Sequence, residues 1–205
     1  MMIYVGIDPG AQGALAALDH LGHVIAAHRY RPKRPESSYN ILLLVKGMVL
    51  DIREIIVYLE NSRIFPREEK GFITQGQSLY TYLGIWEGFL IAAGLNFTLI
   101  DPAAWQSATG LYQWRKRWTA NPGAPTITSA AQRLWPGIDY HQRPDDGIAA
   151  ALHMAHLAMI DHRQGIDRAA LSAQAKAKKA ERRRKRRLKT HESSQVKRLT
   201  GDVTQ

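Results

Sequence analysis

The first thirty residues hold three short apolar runs closed by turns, and this more than any other feature limits what the chain can fold into. Ile3 to Asp8 ends at Pro9-Gly10, Ala14 to Asp19 ends at His20-Leu21-Gly22, and Val24 to Tyr30 follows. Brief apolar runs bounded by Pro, Gly and Asp read as strands. The short turns between them make the three antiparallel neighbours. A polar, Pro-containing link, Arg31 to Ser38, leads into Tyr39 to Ile52, where Ile41, Leu42, Val45, Met48, Val49 and Ile52 recur at helical spacing. Ile55 to Leu59, closed by Glu60, is too short for a helix and reads as a buried strand. Because a helix precedes it, a crossover pairing parallel to the first strand is expected.

Asn61 to Gln77 reads as a loop. Ser78 to Ala93 returns to helical spacing, with Leu79, Tyr82, Leu83, Trp86, Phe89 and Leu90 on one side and Gly94 as its stop. Phe97 to Ile100 is a further strand, ended by Asp101-Pro102. Gln106 to Pro125 is expected as loop, Thr126 to Leu134 as a helix stopped by Pro136-Gly137, and Asp145 to Met159 as the last helix, its acids placed where the backbone dipole favours them. This order predicts an α/β architecture: a mixed five-stranded sheet with helices on its faces.

Charge divides the chain. Of 28 Lys+Arg and 18 Asp+Glu, residues 1–167 carry 15 and 15, and residues 168–205 carry 13 and 3, so the formal +10 is the sum of 0 and 10. We expect a neutral domain over 1–165 and a basic, helical or extended nucleic-acid-binding arm over 166–205. There is no cysteine, which excludes a disulfide-stapled scaffold. No apolar stretch reaches the roughly 18 to 20 residues of a membrane span. Asp8 falls where a signal peptide would be apolar, so a cytoplasmic protein is expected.

Three acidic positions lie at element ends. Asp8 closes the first strand, Glu60 closes the fourth, and Asp145-Asp146 open the last helix. If the fourth strand pairs beside the first, Asp8 and Glu60 share one end of the sheet, and the helix N-terminus can bring Asp146 beside them. Carboxylates gathered so closely repel unless cations lie between them, and hard oxygen ligands suit Mg²⁺ or Mn²⁺. Two such ions about 4 Å apart activate water and stabilise a leaving oxygen in phosphodiester hydrolysis. Taken singly, Asp8 also reads as a turn residue, Asp145 as a helix cap and Glu60 as a loop-edge charge.

Gly6-Ile7-Asp8-Pro9-Gly10 with Gly13-Ala14-Leu15-Ala16, Leu59-Glu60, Gly84-Ile85-Trp86-Glu87-Gly88, Pro102-Ala103-Ala104-Trp105-Gln106 and Asp145-Asp146-Gly147-Ile148-Ala149-Ala150-Ala151-Leu152 together resemble the RuvC family of Holliday junction resolvases, on its phage and chloroplast-type side. The resemblance spans about residues 2 to 160. It implies an RNase H-like fold with helices on both faces of the sheet, a homodimer, and Mg²⁺-dependent resolution of four-way DNA junctions by paired symmetrical nicks leaving 5′-phosphates. Asp8 would bridge two metal ions, with Glu60 and Asp146 as further ligands. The family's fourth acidic position falls here on Ala150, and Asp145 or His153 would stand in for it. His153 also reads as a packed histidine. Gln106 stands where this branch often has Lys, a charge that Arg115, Lys116 or Arg117 would supply.

DNA contacts are expected from Trp114 and Arg115-Lys116-Arg117, where aromatics can stack on unpaired bases beside phosphate-holding cations. Arg67, Lys70 and Phe72, after Glu60, form a second candidate wall. Trp105 reads as core. Gly76, Gly84 and Gly88 let another backbone approach their helix, either the sheet or a second copy. In the arm, Arg182, Arg183, Arg184, Lys185, Arg186 and Arg187 would neutralise phosphates without selecting sequence. Two other readings share some of these features. One is a branched-DNA binder whose catalytic set has weakened at Ala150. The other is an actin-like kinase, suggested by Asp8-Pro9-Gly10 and Gly13 alone.

Overall fold

In a computed structural model the described residues are 1–61, 72–111, 126–141 and 146–171, with 173, 174, 177, 178, 180, 181 and 184; for 72–79 they are described as backbone. The strands are β1 (Ile3–Asp8), β2 (Ala14–Asp19), β3 (Val24–Arg29), β4 (Ile55–Glu60) and β5 (Phe97–Ile100). The helices are α1 (Pro35–Gly47), α2 (Phe72–Ala92), α3 (Pro102–Ala108), α4 (Ile127–Leu134) and α5 (Gly147–Gln164). A 3₁₀ turn, Ile52–Glu54, leads into β4.

The sheet runs β3-β2-β1-β4-β5. β1 pairs antiparallel with β2, and β2 with β3. β1 pairs parallel with β4, and β4 with β5. Alternation along the strands sends Tyr4, Ala14, Ala16, Leu18 and Tyr58 into one core with α3, α4 and α5. It sends Ile3, Val5, Ile7, Leu15, Val57 and Leu59 into another with α1 and α2. Helices therefore cover both faces.

The five strands match their expected spans to within a residue, whereas the helices differ more. α1 begins at Pro35, inside the expected link, because proline suits a first turn whose N–H needs no partner. α2 begins at Phe72, inside the expected loop. Its carboxyl end is held by Lys46 of α1, whose Nζ donates to the Ala93 carbonyl at 2.7 Å, and Gly94 turns out of it at φ +69°. α5 begins at Gly147 rather than Asp145 and continues to Gln164, where Gly165 ends it at φ +66°.

α5 is the central helix, with thirteen of its eighteen residues buried. It lies so close to β1 that a Cβ on Gly6 would sit 2.0 Å from the Ala151 carbonyl oxygen. Its first turn meets the β1–β2 turn, where a Cβ on Gly147 would sit 2.4 Å from the Gln12 carbonyl oxygen. Real Cβ atoms do not approach backbone so closely, so these glycines set the depth at which α5 seats.

The chain divides into two compact units, 1–166 and 167–205. In the second, Asp167 Oδ1 accepts from the Ala170 N–H at 3.0 Å as a helical cap, and Arg184 is helical and exposed.

Candidate active site

β1 and β4 run side by side in one direction with Ile7 opposite Leu59, so the next residues, Asp8 and Glu60, finish adjacent strands at the same end of the sheet. The alternation that turns Tyr4 and Tyr58 toward α5 turns Asp8 and Glu60 the same way. Each has a partner that fixes it. Asp8 Oδ1 accepts from the Gly10 N–H at 3.0 Å, inside a turn closed by Gly13 N–H to the Gly10 carbonyl at 2.8 Å. That turn is possible because residue 13 lacks a side chain: a Cβ there would lie 2.0 Å from the Asp8 carbonyl oxygen.

Glu60 Oε2 accepts from Trp105 Nε1 at 2.7 Å. The indole is 1% exposed, so Trp105 joins the core as expected and also aims Glu60, a role the sequence reading missed. β5 lies beside β4 with Glu60 opposite Ile100, and α3 starts two residues later behind Asp101 and Pro102. That spacing returns Trp105 over the end of β4 and is the signal that would have revealed it.

Asp146 is the N-cap of α5 and is buried. Its Oδ1 accepts from the Ile148 and Ala149 N–H groups at 2.8 and 3.3 Å, and its Oδ2 from Arg29 Nη1 at 2.7 Å and the His141 N–H at 2.9 Å. A carboxylate offers about four lone-pair sites, and four donors fill them. The Arg29 guanidinium also reaches the Asp139 carbonyl at 3.1 Å. Burial, with the Asp146 charge adding to it, pushes the Tyr140 phenol up to about 12.

Asp8 and Glu60 thus suit a hard divalent cation by chemistry and placement, whereas Asp146 is committed to a helix cap and a buried ion pair. Among the described residues no three His, Asp or Glu side chains gather as a cation site. Asp145 lies outside the described residues. Ala150 is buried and offers no ligand. His153 is buried, its Nε2 facing the Ile127 carbonyl at 3.3 Å and its ring edge-on to Trp135. Burial lowers its pKa to about 4, so at neutral pH the ring is neutral and donates to that carbonyl, as a packed histidine does.

Of the expected DNA-contacting positions, Arg67, Lys70, Trp114, Arg115, Lys116, Arg117, Arg182, Arg183, Lys185, Arg186 and Arg187 lie outside the described residues. The backbone of Phe72 is helical, at the start of α2.

Neither a family profile nor a curated protein matches the sequence. Solved structures do. Thermus thermophilus RuvC in complex with Holliday junction substrate is 16% identical over 80% of this chain and 97% of that chain, with a TM-score of 0.52. A second Thermus thermophilus RuvC structure is 18% identical over the same shares, at 0.49. The likeness to the junction-bound structure establishes the fold: the mixed sheet covered by helices on both faces is the RNase H-like fold of RuvC.

Proposed function

We propose that the chain is a structure-selective DNA endonuclease that resolves four-way junctions by paired, symmetrical phosphodiester hydrolysis. The observation that supports this most is the delivery of Asp8 and Glu60 to one end and one face of two adjacent parallel strands, in a fold shared with a RuvC seen on a Holliday junction. Asp8 and Glu60 would hold divalent cations, Mg²⁺ or Mn²⁺, two per site, with the third carboxylate from the acids leading into α5. Asp145 is the better candidate of those two, because the helix starts after Asp146 and uses Asp146 as its cap.

Bound there, such ions would lower the pKa of a water and offset charge on the leaving oxygen. The chain's own residues orient that site. Trp105 fixes the rotamer of Glu60, the Gly10–Gly13 turn fixes Asp8, and Arg29 with Asp146 pins the start of α5 against the same end.

Paired nicks need two sites, which a homodimer supplies. α2 carries Gly84 and Gly88 with no atom within 4 Å of where a Cβ would stand, and Ile91 on α2, Leu44 on α1 and Met48 just after α1 are exposed. We take this surface as the subunit contact. Arg115, Lys116, Arg117 and Trp114 would meet the exchange point, Arg67, Lys70 and Phe72 a flanking arm, and the basic 167–205 segment duplex phosphates. Among the described residues no helix is long and apolar enough to cross a membrane. The reaction would take place in the cytoplasm, that of a bacterial host if the chain is encoded by a phage or prophage.

The absence of a third grouped carboxylate among the described residues, with Ala150 buried, favours one second reading: a branched-DNA binder with weakened catalysis. Incubating the protein with a labelled immobile junction and a linear duplex, with and without Mg²⁺ or Mn²⁺, separates the two. Metal-dependent symmetrical nicks in the junction alone support the nuclease. Tight junction binding without nicks under either metal supports the binder.

A further inference from the structure

We propose that the link between β3 and α1, carrying Arg31, Lys33 and Arg34, is a preformed docking site for the sugar-phosphate backbone of a DNA arm beside the carboxylate end. The inference rests on the nuclease reading for the identity of its ligand. Its geometry comes from the sheet.

In the strand register Asp8 stands opposite Ala14, and Ala14 opposite Arg29, so the end of β3 lies in one row with Asp8 across three strands. The chain that leaves β3 therefore emerges at the carboxylate end. Tyr30 ties it down: its N–H donates to the Gly13 carbonyl at 2.8 Å and its buried ring packs against Trp86 and Tyr82. The next four residues, Arg31, Pro32, Lys33 and Arg34, are all exposed.

They are held in a fixed turn. The Arg34 N–H donates to the Arg31 carbonyl at 2.8 Å, and the Ser37 N–H and hydroxyl donate to the Arg34 carbonyl at 3.1 and 2.8 Å. Pro32 and Pro35 restrict the turn further. Cations displayed from a rigid turn lose less entropy on binding than cations on a free arm.

The charge is concentrated as well as fixed. Arg29, Arg31, Lys33 and Arg34 are four of the fifteen basic residues in 1–167, a stretch with as many acids as bases. Arg29 is spent on Asp146, and none of the other three is ion-paired among the described residues. The nearest acid along the chain is the exposed Glu36. His28, which bonds Ser37 Oγ at 3.3 Å, adds no charge at neutral pH, since burial and then Arg31 lower its pKa. A cleft of about 470 Å³ follows β3 from Val24 to Arg29 and reaches Arg31, with Ile138, Asp139 and Ile148 on its other side. Three exposed cations within four residues at the carboxylate end, with Arg31 at the mouth of this cleft, suit a ligand with repeating negative charge.

The test is the salt dependence of junction binding by the full chain without divalent metal, comparing the parent with Arg31→Gln/Lys33→Gln/Arg34→Gln. Each lost phosphate contact on a duplex lowers the slope of log K against log salt by about 0.9, so the triple variant loses about 2.7. Three contacts account for about a 40-fold change in affinity between 50 and 200 mM salt, and the variant no longer shows that share. Arg53→Gln, in the 3₁₀ turn that leads into β4 and so at the opposite end of the sheet, leaves the slope unchanged. An unshifted unfolding midpoint shows that the triple variant folds, and the three single variants, each expected to lose about 0.9, serve if it does not. A triple-variant slope within 0.5 of the parent's overturns the inference while leaving the nuclease reading intact. A parent that binds no junction overturns both.

Discussion

Asp146 shows how one side chain can hold two distant parts of a fold at once. It caps α5, and it neutralises Arg29 from a position 117 residues away in sequence. Losing a cap costs about 1 kcal/mol, and leaving a partly buried arginine without its carboxylate costs about 3 more. Asp146→Ala is therefore expected to lose about 4 kcal/mol in urea unfolding, and Asp146→Asn about 3, because the amide oxygen still caps but carries no charge for Arg29. Equal losses in the two variants would show that the cap contributes nothing, and a loss under about 1 kcal/mol in Asp146→Asn would show the same of the ion pair. His153 gives a pH signature. Its folded pKa, about 4, lies below the unfolded value of 6.5, so between these values the unfolded chain binds the proton and stability falls as pH falls. From pH 6.5 to 5 this amounts to about 2 kcal/mol, present in full above 6.5, and His153→Leu is expected to flatten that limb. A parent-like pH profile in the variant would place the titration elsewhere.

At the scale of elements, the strands were legible because each apolar run is short and ends in a turn. The helix starts were not. Apolar spacing marks where a helix packs, whereas its first turn is set by caps and prolines. Pro35 thus opened α1 four residues before the apolar pattern of Tyr39 to Ile52, and Asp145-Asp146 looked like a first turn when Asp146 is the cap before it. Glu60 beside Asp8 could be read from helix-then-strand order. The bond from Trp105 to Glu60 could have been read from the spacing of β5 and α3, but the pairing of Arg29 with Asp146 depends on the seating of α5, which no local pattern encodes. On α2, the open positions beside Gly84 and Gly88 carry a prediction. A Cβ at residue 88 has no described atom within 4 Å outside its own helix backbone, so for Gly88→Arg sedimentation should show a dimeric parent and a monomeric variant of unchanged circular dichroism. A variant that stays dimeric would move the contact elsewhere.

Across the whole molecule, charge and chemistry are allotted to separate parts. The first unit, 1–166, carries 15 basic and 14 acidic residues, and the basic excess belongs to the second, 167–205, with 13 and 4. Cations without aromatics give affinity without selectivity. Replacing Arg182 through Arg187 by Gln, six charges, is expected to lower the salt slope of junction binding by about 5 while leaving discrimination of junction over duplex unchanged. Loss of discrimination would assign the arm a recognition role instead. The account as a whole turns on Asp8 and Glu60 acting together at the end of β1 and β4. The most direct measurement is junction cleavage in Mg²⁺ by Asp8→Asn, alongside its junction affinity. The account predicts that cleavage falls at least about 10³-fold while binding stays within about threefold of the parent. Cleavage at the parent's rate would contradict it.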